Sequence, residues 1–110
     1  MRDHPPGAIV LLSFPFADAA GAKRRPALVI LDAGDDDLVV VRVTGQPAQT
    51  TFDVAIHDWQ QAGLLLPSVA RVHKLATLEK RLVERRLGSL APNDWRRVSA
   101  AIRQMFDFSA

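Results

Sequence analysis

The sequence predicts a mostly β protein of the α+β class: a small, mainly antiparallel β-barrel followed by a C-terminal α-helix. Two observations lead to this prediction. Short runs rich in Val, Ile and Leu alternate with clusters of Gly, Pro and Asp as far as Thr77, which is the pattern of short strands joined by tight turns. The last apolar residues instead recur at helical spacing, so one terminal helix is expected to pack on the barrel.

Five apolar runs are predicted as strands, each bounded by glycine, proline or polar turn residues. They are residues 8–14, 27–31, 38–44, 53–57 and 68–77. Because side chains alternate along a strand, Val39, Val41 and Val43 should share one face, with Arg42 and Thr44 on the other. The same rule divides the fifth run into two sets, Ala70, Val72 and Ala76 on one face and Arg71, His73 and Thr77 on the opposite face.

The segments between and after these strands have different predicted roles. Residues 17–24 have the composition of a loop, and residues 58–62 read as one helical turn capped by Asp58. The basic residues beyond position 80 could lie on a surface turn and a helix and only keep the protein soluble. Trp59 could belong to the core or stack on a base, and the sequence leaves both interpretations open.

A helix is predicted from Pro92, because proline suits the first helical position and Asp94 then lies where the helix dipole favours a carboxylate. Its apolar stripe consists of Trp95, Val98, Ile102, Met105 and Phe106. We assign Trp95 to the core. The arginines on the other face of the helix are expected to be solvated.

Composition sets limits on function. A chain of 110 residues is predicted to be a single domain, residues 1–110, with a core large enough to fold by itself. The absence of cysteine excludes disulfides and thiolate metal sites, and no apolar run is long enough to span a bilayer, so a cytoplasmic location is expected. Residues 69–106 carry nine Lys and Arg against three acids, which favours a polyanionic partner.

The chemistry that the residues allow is narrow. No histidines have metal-ligand spacing, and no phosphate loop or nucleophile motif is present, so neither a metal nor a cofactor is expected. The tract Lys23-Arg24-Arg25-Pro26 places three cations at the predicted start of a buried strand, where an arginine could clamp a phosphate. Such residues suit a substrate that supplies its own nucleophile, as the 2′-hydroxyl of RNA does.

Ordered landmarks along the chain resemble the PemK/MazF family of toxins from bacterial type II toxin–antitoxin pairs. They are Gly7-Ala8-Ile9-Val10, Phe14-Pro15-Phe16, Arg25-Pro26-Ala27-Leu28-Val29, Val43-Thr44-Gly45 and Pro67-Ser68-Val69-Ala70-Arg71. The resemblance implies a homodimer of Src-homology-3-like barrels acting as a metal-independent, sequence-specific endoribonuclease on single-stranded mRNA. It also implies a small cognate antitoxin, and RNA products with 2′,3′-cyclic phosphate and 5′-hydroxyl ends.

The family's functional positions fall on particular residues of this chain. The arginine of the MazF branch's Arg-Pro pair falls on Arg25 and its strand-end threonine on Thr44. In the PemK/Kid branch an Arg-x-Asp pair acts as acid and base; Arg71 matches the arginine, but His73 stands where the aspartate is expected. A histidine can serve as a general base, so whether His73 replaces the acid or the chemistry rests on Arg25 and Thr44 stays open.

Six further residues at strand ends and in the basic tract are predicted to bind RNA, with the loop of residues 17–24 closing over the groove. They are Lys23, Arg24, Arg42, Ser68, Lys74 and Thr77. The alternative is a module on the same fold without catalysis, either a nucleic-acid-binding domain or a gyrase inhibitor of the CcdB type. Residues 106–110 lack the terminal tryptophan expected for gyrase inhibition.

Overall fold

The computed structural model describes residues 3–15 and 22–108, which form six strands, a short 3₁₀ helix and one α-helix. The strands are β1 (Ala8–Pro15), β2 (Ala22–Leu31), β3 (Asp37–Thr44), β4 (Asp53–Ile56), β5 (Ser68–Glu79) and β6 (Val83–Ser89). The 3₁₀ helix is Lys80–Leu82, and helix α1 spans Pro92–Met105. The predicted mostly β fold with a C-terminal helix is therefore confirmed.

The strands form one sheet in the order β4-β5-β3-β2-β1-β6, with every neighbouring pair antiparallel. The predicted closed barrel is wrong, because in the described residues β4 and β6 remain the two edges of the sheet. The sheet nevertheless curls, so that the turn after β4 reaches β6. A Cβ atom built on Gly63 would lie only 2.1 Å from the Leu87 carbonyl oxygen, and one on Gly88 2.5 Å from the Ala62 oxygen.

Gly63 should therefore be intolerant of substitution. Its φ of +85° already disfavours any side chain, and the Leu87 backbone occupies the space of a Cβ. We expect Gly63→Ala to lower the free energy of unfolding by about 2–3 kcal/mol. Gly7→Ala is the matched control in urea denaturation, because Gly7 has a φ of +93° but its Cβ would lie 3.7 Å from Trp95, an ordinary contact. Equal losses in the two variants would contradict a backbone clash at Gly63.

Strand β2 begins five residues earlier than predicted, so Lys23, Arg24 and Arg25 lie within a strand and not at a loop mouth. The reason is pairing with β1, which continues from Ile9↔Leu28 to Pro15↔Ala22 and places Arg25 opposite Leu12. Pairing with β3 starts only at Ala27. Pro26 is tolerated because the other edge of β2 is unpaired at that point. Of the predicted loop 17–24, residues 17–21 lie outside the described residues.

The charged segment after β5 also differs from the prediction. Residues 80–82 form the 3₁₀ helix, and residues 83–89 form an edge strand where a surface turn was considered. Strand β6 pairs with β1 alone, and the residues Glu84, Arg85 and Arg86 on it are exposed. Charged side chains are ordinary on an edge strand, since they discourage further pairing.

Two groups of buried side chains stabilise the sheet. The first core cluster lies against α1 and includes Ile9, Leu28, Val41, Val43, Ala70, Val72 and Val98. The second core cluster consists of Ala8, Val10, Leu12, Ala27, Val29, Leu38 and Val40. Val41 and Val43 lie in one cluster and Val40 in the other, which confirms the alternation predicted for β3. Trp95 and Trp59 both pack against the first cluster, so the prediction for Trp95 is confirmed.

Two residues, Ala76 and Phe106, depart from their predicted placement. The register between β3 and β5 shifts from Arg42↔Arg71 to Val41↔Leu75, so β5 bulges in between and its alternation is broken. Leu75 packs on the first core cluster, whereas Ala76, predicted to share a face with Ala70 and Val72, is exposed. Phe106 follows the last helical residue and is 51% exposed.

The segment after β4 forms a turn over residues 57–63 that contains one helical hydrogen bond, as predicted, but the Asp58 side chain makes no cap among the described residues. The Ala62 N–H donates to the Asp58 carbonyl oxygen, and the predicted Asp58 cap is replaced by a carboxylate from α1. The Asp94 carboxylate accepts the N–H groups of His57 and Asp58 at 3.1 and 2.9 Å. A buried acid in the first turn of the helix therefore fixes the chain direction after β4.

Candidate functional site

A hollow of about 640 Å³, which we call the first hollow, lies beside residues 25–26 of β2, the end of β3 and the start of β5. Its polar lining comprises Arg25, Arg42, Thr44, Gln46, Ser68 and Arg85. Its apolar wall includes Leu64, Leu65 and Leu66 from the segment before β5, and Leu65 is 94% exposed. Leu66 lies over Gly45, since a Cβ on that glycine would meet Leu66 Cδ1 at 2.4 Å.

A second hollow of about 500 Å³ lies over the second core cluster. Its floor is apolar, with Leu12, Ala27 and Val40 among its residues, and its cations are Lys23, Arg25, Arg42 and Lys74. Arg25 and Arg42 line both hollows. The two hollows therefore form one groove around this arginine pair, and no carboxylate lines it among the residues that the structure describes.

The structure brings together most of the predicted site residues. Arg25 and Thr44, the two positions of the MazF branch, both line the first hollow with Arg42 and Ser68. Lys23 and Lys74 line the second hollow. Arg25 lines the groove because it lies on the same face of β2 as Ala27, which is part of the groove floor. Arg42 likewise lies on the same face of β3 as Val40.

Two hydroxyl groups in the first hollow have defined hydrogen bonds. Thr44 Oγ1 accepts the N–H of Gln46 at 3.2 Å, so its own hydrogen can be donated elsewhere. Ser68 Oγ donates to the Leu66 carbonyl oxygen at 2.8 Å, and Ser68 is buried. Thr44 is thus equipped to donate to a phosphate oxygen, whereas Ser68 anchors the leucine wall.

Two other predicted RNA-binding residues do not line either hollow in the described part of the chain. Arg24 points to β6, where its Nε lies 2.7 Å from Glu84 Oε2. This exposed ion pair holds the pKa of Glu84 below its usual value, chiefly through the hydrogen bond from Arg24. Thr77 is exposed on β5 beyond the bulge.

Arg71 and His73 also lie outside the two hollows, and they converge on Asp53. Arg71 Nε donates to Asp53 Oδ1 at 3.2 Å, and His73 Nδ1 lies 3.9 Å from the same oxygen without a hydrogen bond. Asp53 Oδ2 accepts the N–H groups of Gln49 and Thr50 at 2.8 and 3.0 Å. This carboxylate is 1% exposed.

The Asp53 carboxyl is ionised in this setting. Burial by itself would raise its pKa, but the N–H donors of Gln49 and Thr50 and the charge of Arg71 outweigh burial and lower the pKa below the usual value. Asp53 is therefore a stable counter-charge for Arg71.

Three residues in or beside the candidate site were not identified from the sequence. Arg85 was one of the basic residues that could lie on a surface turn, and only the pairing Leu11↔Arg85 between β1 and β6 brings it to the first hollow. Gln46 lies two residues after Thr44, and this closeness to a predicted site residue could have identified it as a candidate from the sequence. Asp53 begins β4 and pairs with Arg71 across the sheet, a contact that spacing along the chain does not reveal.

Two further properties of the described residues bear on the class of protein. No group of three His, Asp or Glu side chains in residues 3–15 and 22–108 could hold a metal ion. In the same residues, no helix has both the length and the apolar character needed to cross a membrane.

Buried carboxylates predict how stability depends on pH. Burial would raise the pKa of Asp32 and Asp94, but hydrogen bonds lower both, from Lys80 first for Asp32 and from the Asp58 N–H first for Asp94. Because the pKa of each carboxyl is lower in the folded state, the ionised carboxylates stabilise the fold fully above pH 3.8, the pKa in the unfolded chain. This stabilisation is lost as the pH falls from 3.8 through the folded-state pKa. We expect the free energy of unfolding in urea to be flat from about pH 7 to 5 and to fall steeply below about pH 4. Equal stability at about pH 6 and pH 3 would contradict this.

A curled antiparallel sheet, a terminal helix and a cationic groove define a small α+β protein suited to an anionic ligand, and comparison with known proteins identifies the family. The family model of the PemK-like, MazF-like toxins of type II toxin–antitoxin systems matches residues 5–106, so the chain belongs to that family. A sequence comparison with curated proteins finds no significant match.

Solved structures show the same fold at low sequence identity. A chain of a MazE-MazF structure from Deinococcus radiodurans superposes with a TM-score of 0.75 and 21% identity over 99% of this chain and 100% of that one. An endoribonuclease in complex with its cognate antitoxin, from a mycobacterial species, gives 0.73 and 19% over 96% of both chains. The toxin MazF-mt6 of Mycobacterium tuberculosis gives 0.70 and 19% over 92% of this chain and 99% of that one.

Proposed function

We propose that this toxin is a metal-independent endoribonuclease that cleaves single-stranded mRNA in the groove around Arg25 and Arg42. The observation that carries the proposal is the grouping of Arg25, Arg42, Arg85 and Thr44 around one hollow that no described carboxylate lines. Such a site attracts a phosphodiester and can stabilise additional negative charge on it. One structural neighbour is itself an endoribonuclease, which agrees with this reaction class.

The reaction follows from these groups. The 2′-oxygen of the substrate forms a bond to phosphorus as the bond to the 5′-oxygen breaks, giving a 2′,3′-cyclic phosphate and a 5′-hydroxyl. Water in the open hollow accepts the proton of the 2′-hydroxyl, and water returns one to the leaving 5′-oxygen, so the overall reaction releases no proton. Arg25 donates to the non-bridging oxygens as their charge rises, and the Thr44 hydroxyl donates to the same phosphate. We assign the chemistry to Arg25 and Thr44, because Arg71 is already bound to Asp53.

The groove also suggests how the strand of RNA lies. Phosphates would follow the cations from Arg85 and Arg42 in the first hollow to Lys23 and Lys74 in the second. Bases would contact the exposed leucine wall on one side and the apolar floor on the other. Gln46 has an amide that can pair with a base edge, which would contribute to sequence specificity.

We infer two protein partners, a second copy of the chain and a small cognate antitoxin. The inference of a homodimer of Src-homology-3-like units comes from the family to which the chain belongs. The antitoxin is supported by two structural neighbours, of which one was solved in complex with its cognate antitoxin and the other in a MazE-MazF structure. A cytoplasmic location follows from mRNA as the substrate.

Incubation with a long single-stranded RNA in EDTA tests the proposed function. We expect discrete cuts whose downstream fragments carry 5′-hydroxyl ends, detected by direct phosphorylation with polynucleotide kinase, and upstream fragments with cyclic phosphates. Arg24→Ala should give the same cut sites, since Arg24 lies outside both hollows. Cleavage that requires a divalent metal, or folded protein that binds RNA without cutting it, would reject the proposal, and the second result would favour a binding module.

A further inference from the structure

Arg71 is a cation beside the groove that does not contribute its charge to the groove. It pairs with Arg42 across β3 and β5 and with Asp53 across β5 and β4, so the three residues form one row on the sheet. The Arg71 side chain is 16% exposed and the Asp53 carboxylate 1%. The charge of Arg71 is therefore compensated within the protein, whereas Arg42, in the same row, is exposed in both hollows.

The same carboxylate also holds the backbone next to the groove. Asp53 Oδ2 accepts two consecutive N–H groups, from Gln49 and Thr50, at 2.8 and 3.0 Å. These residues belong to the loop 45–52, which starts with two groove-lining residues, Gly45 and Gln46. One buried group thus tethers this loop with one oxygen and binds Arg71 with the other.

We propose that Asp53 is a positioning residue of the RNA groove. It keeps Arg71 from binding phosphate and fixes the loop 45–52, so that RNA meets the cations that line the two hollows and not Arg71. This proposal rests on the proposed RNA-cleaving function. Without the Asp53 charge, Arg71 would offer a phosphate contact in line with Arg42 but outside the first hollow, and RNA would bind away from Arg25 and Thr44.

The change in charge has a consequence that a purely structural role would not produce. An added phosphate contact on single-stranded nucleic acid steepens the dependence of log affinity on log salt concentration by about 0.7. Asp53→Asn should therefore bind RNA with a steeper salt dependence and cleave it with a lower kcat, without a higher KM. Asp53→Asn combined with Arg71→Gln should return the salt dependence to that of the wild type.

The probe is a fluorescein-labelled RNA oligonucleotide of mixed sequence with 2′-O-methyl groups, which cannot be cleaved, and its affinity is measured by anisotropy across salt concentrations. Asp32→Asn is the matched control, because Asp32 is an equally buried carboxylate that accepts N–H groups of Asp3, His4 and Gly34 but lies beyond the end of β2. We expect its salt slope and kcat to equal those of the wild type at a temperature where both are folded. An unchanged slope in Asp53→Asn, or the same change in Asp32→Asn, would overturn the proposal.

A second comparison covers the case in which Asp53→Asn does not fold. The double variant leaves no uncompensated charge, and it is compared with Arg71→Gln alone, which keeps the loop tether. We expect a lower kcat and faster amide exchange of Gln49 and Thr50 in the double variant, and equal values would overturn the tether. If the wild type neither binds nor cuts RNA, the proposed function fails, and amide exchange at these two residues alone decides whether Asp53 holds the loop.

Discussion

Replacing Arg25 with alanine is expected to lower kcat for RNA cleavage about 10²–10³-fold, the effect of removing one donor that stabilises charge in the transition state. Arg25 is exposed, lines both hollows and shares its strand face with Ala27 over the second core cluster. No ion pair or hydrogen bond to a described residue competes for its guanidinium in the way that Glu84 competes for Arg24. The measurement is single-turnover cleavage of a short RNA that contains one mapped cut site.

The neighbouring arginine provides the control for this variant. Arg24→Ala removes an equal charge one residue away, on the opposite face of β2, and should change kcat less than about threefold because an exposed ion pair contributes little. Arg25→Lys should recover only part of the activity, since an ammonium group cannot donate two parallel hydrogen bonds. If Arg24→Ala and Arg25→Ala lose activity equally, the effect is general electrostatic attraction and Arg25 is not catalytic.

How far the sequence predicts this fold depends on whether the deciding contacts are local. The alternation of Val40 and Val41 was readable because each strand residue alternates faces regardless of its partner. The bulge in β5 was not readable, because it arises from the register against β3, where Val41 pairs with Leu75 and Arg42 with Arg71. The same limit explains the early start of β2, whose first residues are strand only because β1 continues beside them.

In the candidate site, too, features that depend on local sequence were predictable and features that depend on strand pairing were not. Arg25 was predicted from its place before Pro26 and from the family resemblance, and Thr44 from the family resemblance; both line the first hollow. Arg85 could not be identified, because its position depends on an edge strand whose charged sequence is that of a surface turn. Charge compensation was equally hidden, since the partner of Arg71 lies 18 residues away on another strand. Residue types therefore predict which groups can do chemistry, and sheet pairing decides which of them are available.

Replacing Asp94 with alanine is expected to cause the largest loss of stability, about 3–5 kcal/mol in the free energy of unfolding, because one partner of a buried charged network is removed. The Asp94 side chain is 1% exposed and accepts three donors: the N–H groups of His57 and Asp58 and the guanidinium of Arg97. Arg97 would keep only the Ala55 carbonyl oxygen, at 2.7 Å. The measurement is urea denaturation at neutral pH.

Asp58→Ala is the control that distinguishes the observed cap from the one expected from the sequence. Asp58 is exposed, so its loss should change the free energy of unfolding by less than about 0.5 kcal/mol. Asp94→Asn keeps an oxygen acceptor and should fall between the two alanine variants. The turn that Asp94 fixes leads to Gly63 and to the leucine wall of the first hollow, so Asp94→Ala should also raise the KM for RNA below its melting temperature. If Asp58→Ala lowered the free energy of unfolding more than Asp94→Ala, the Asp58 side chain would be the cap of the turn, as the sequence pattern alone predicts.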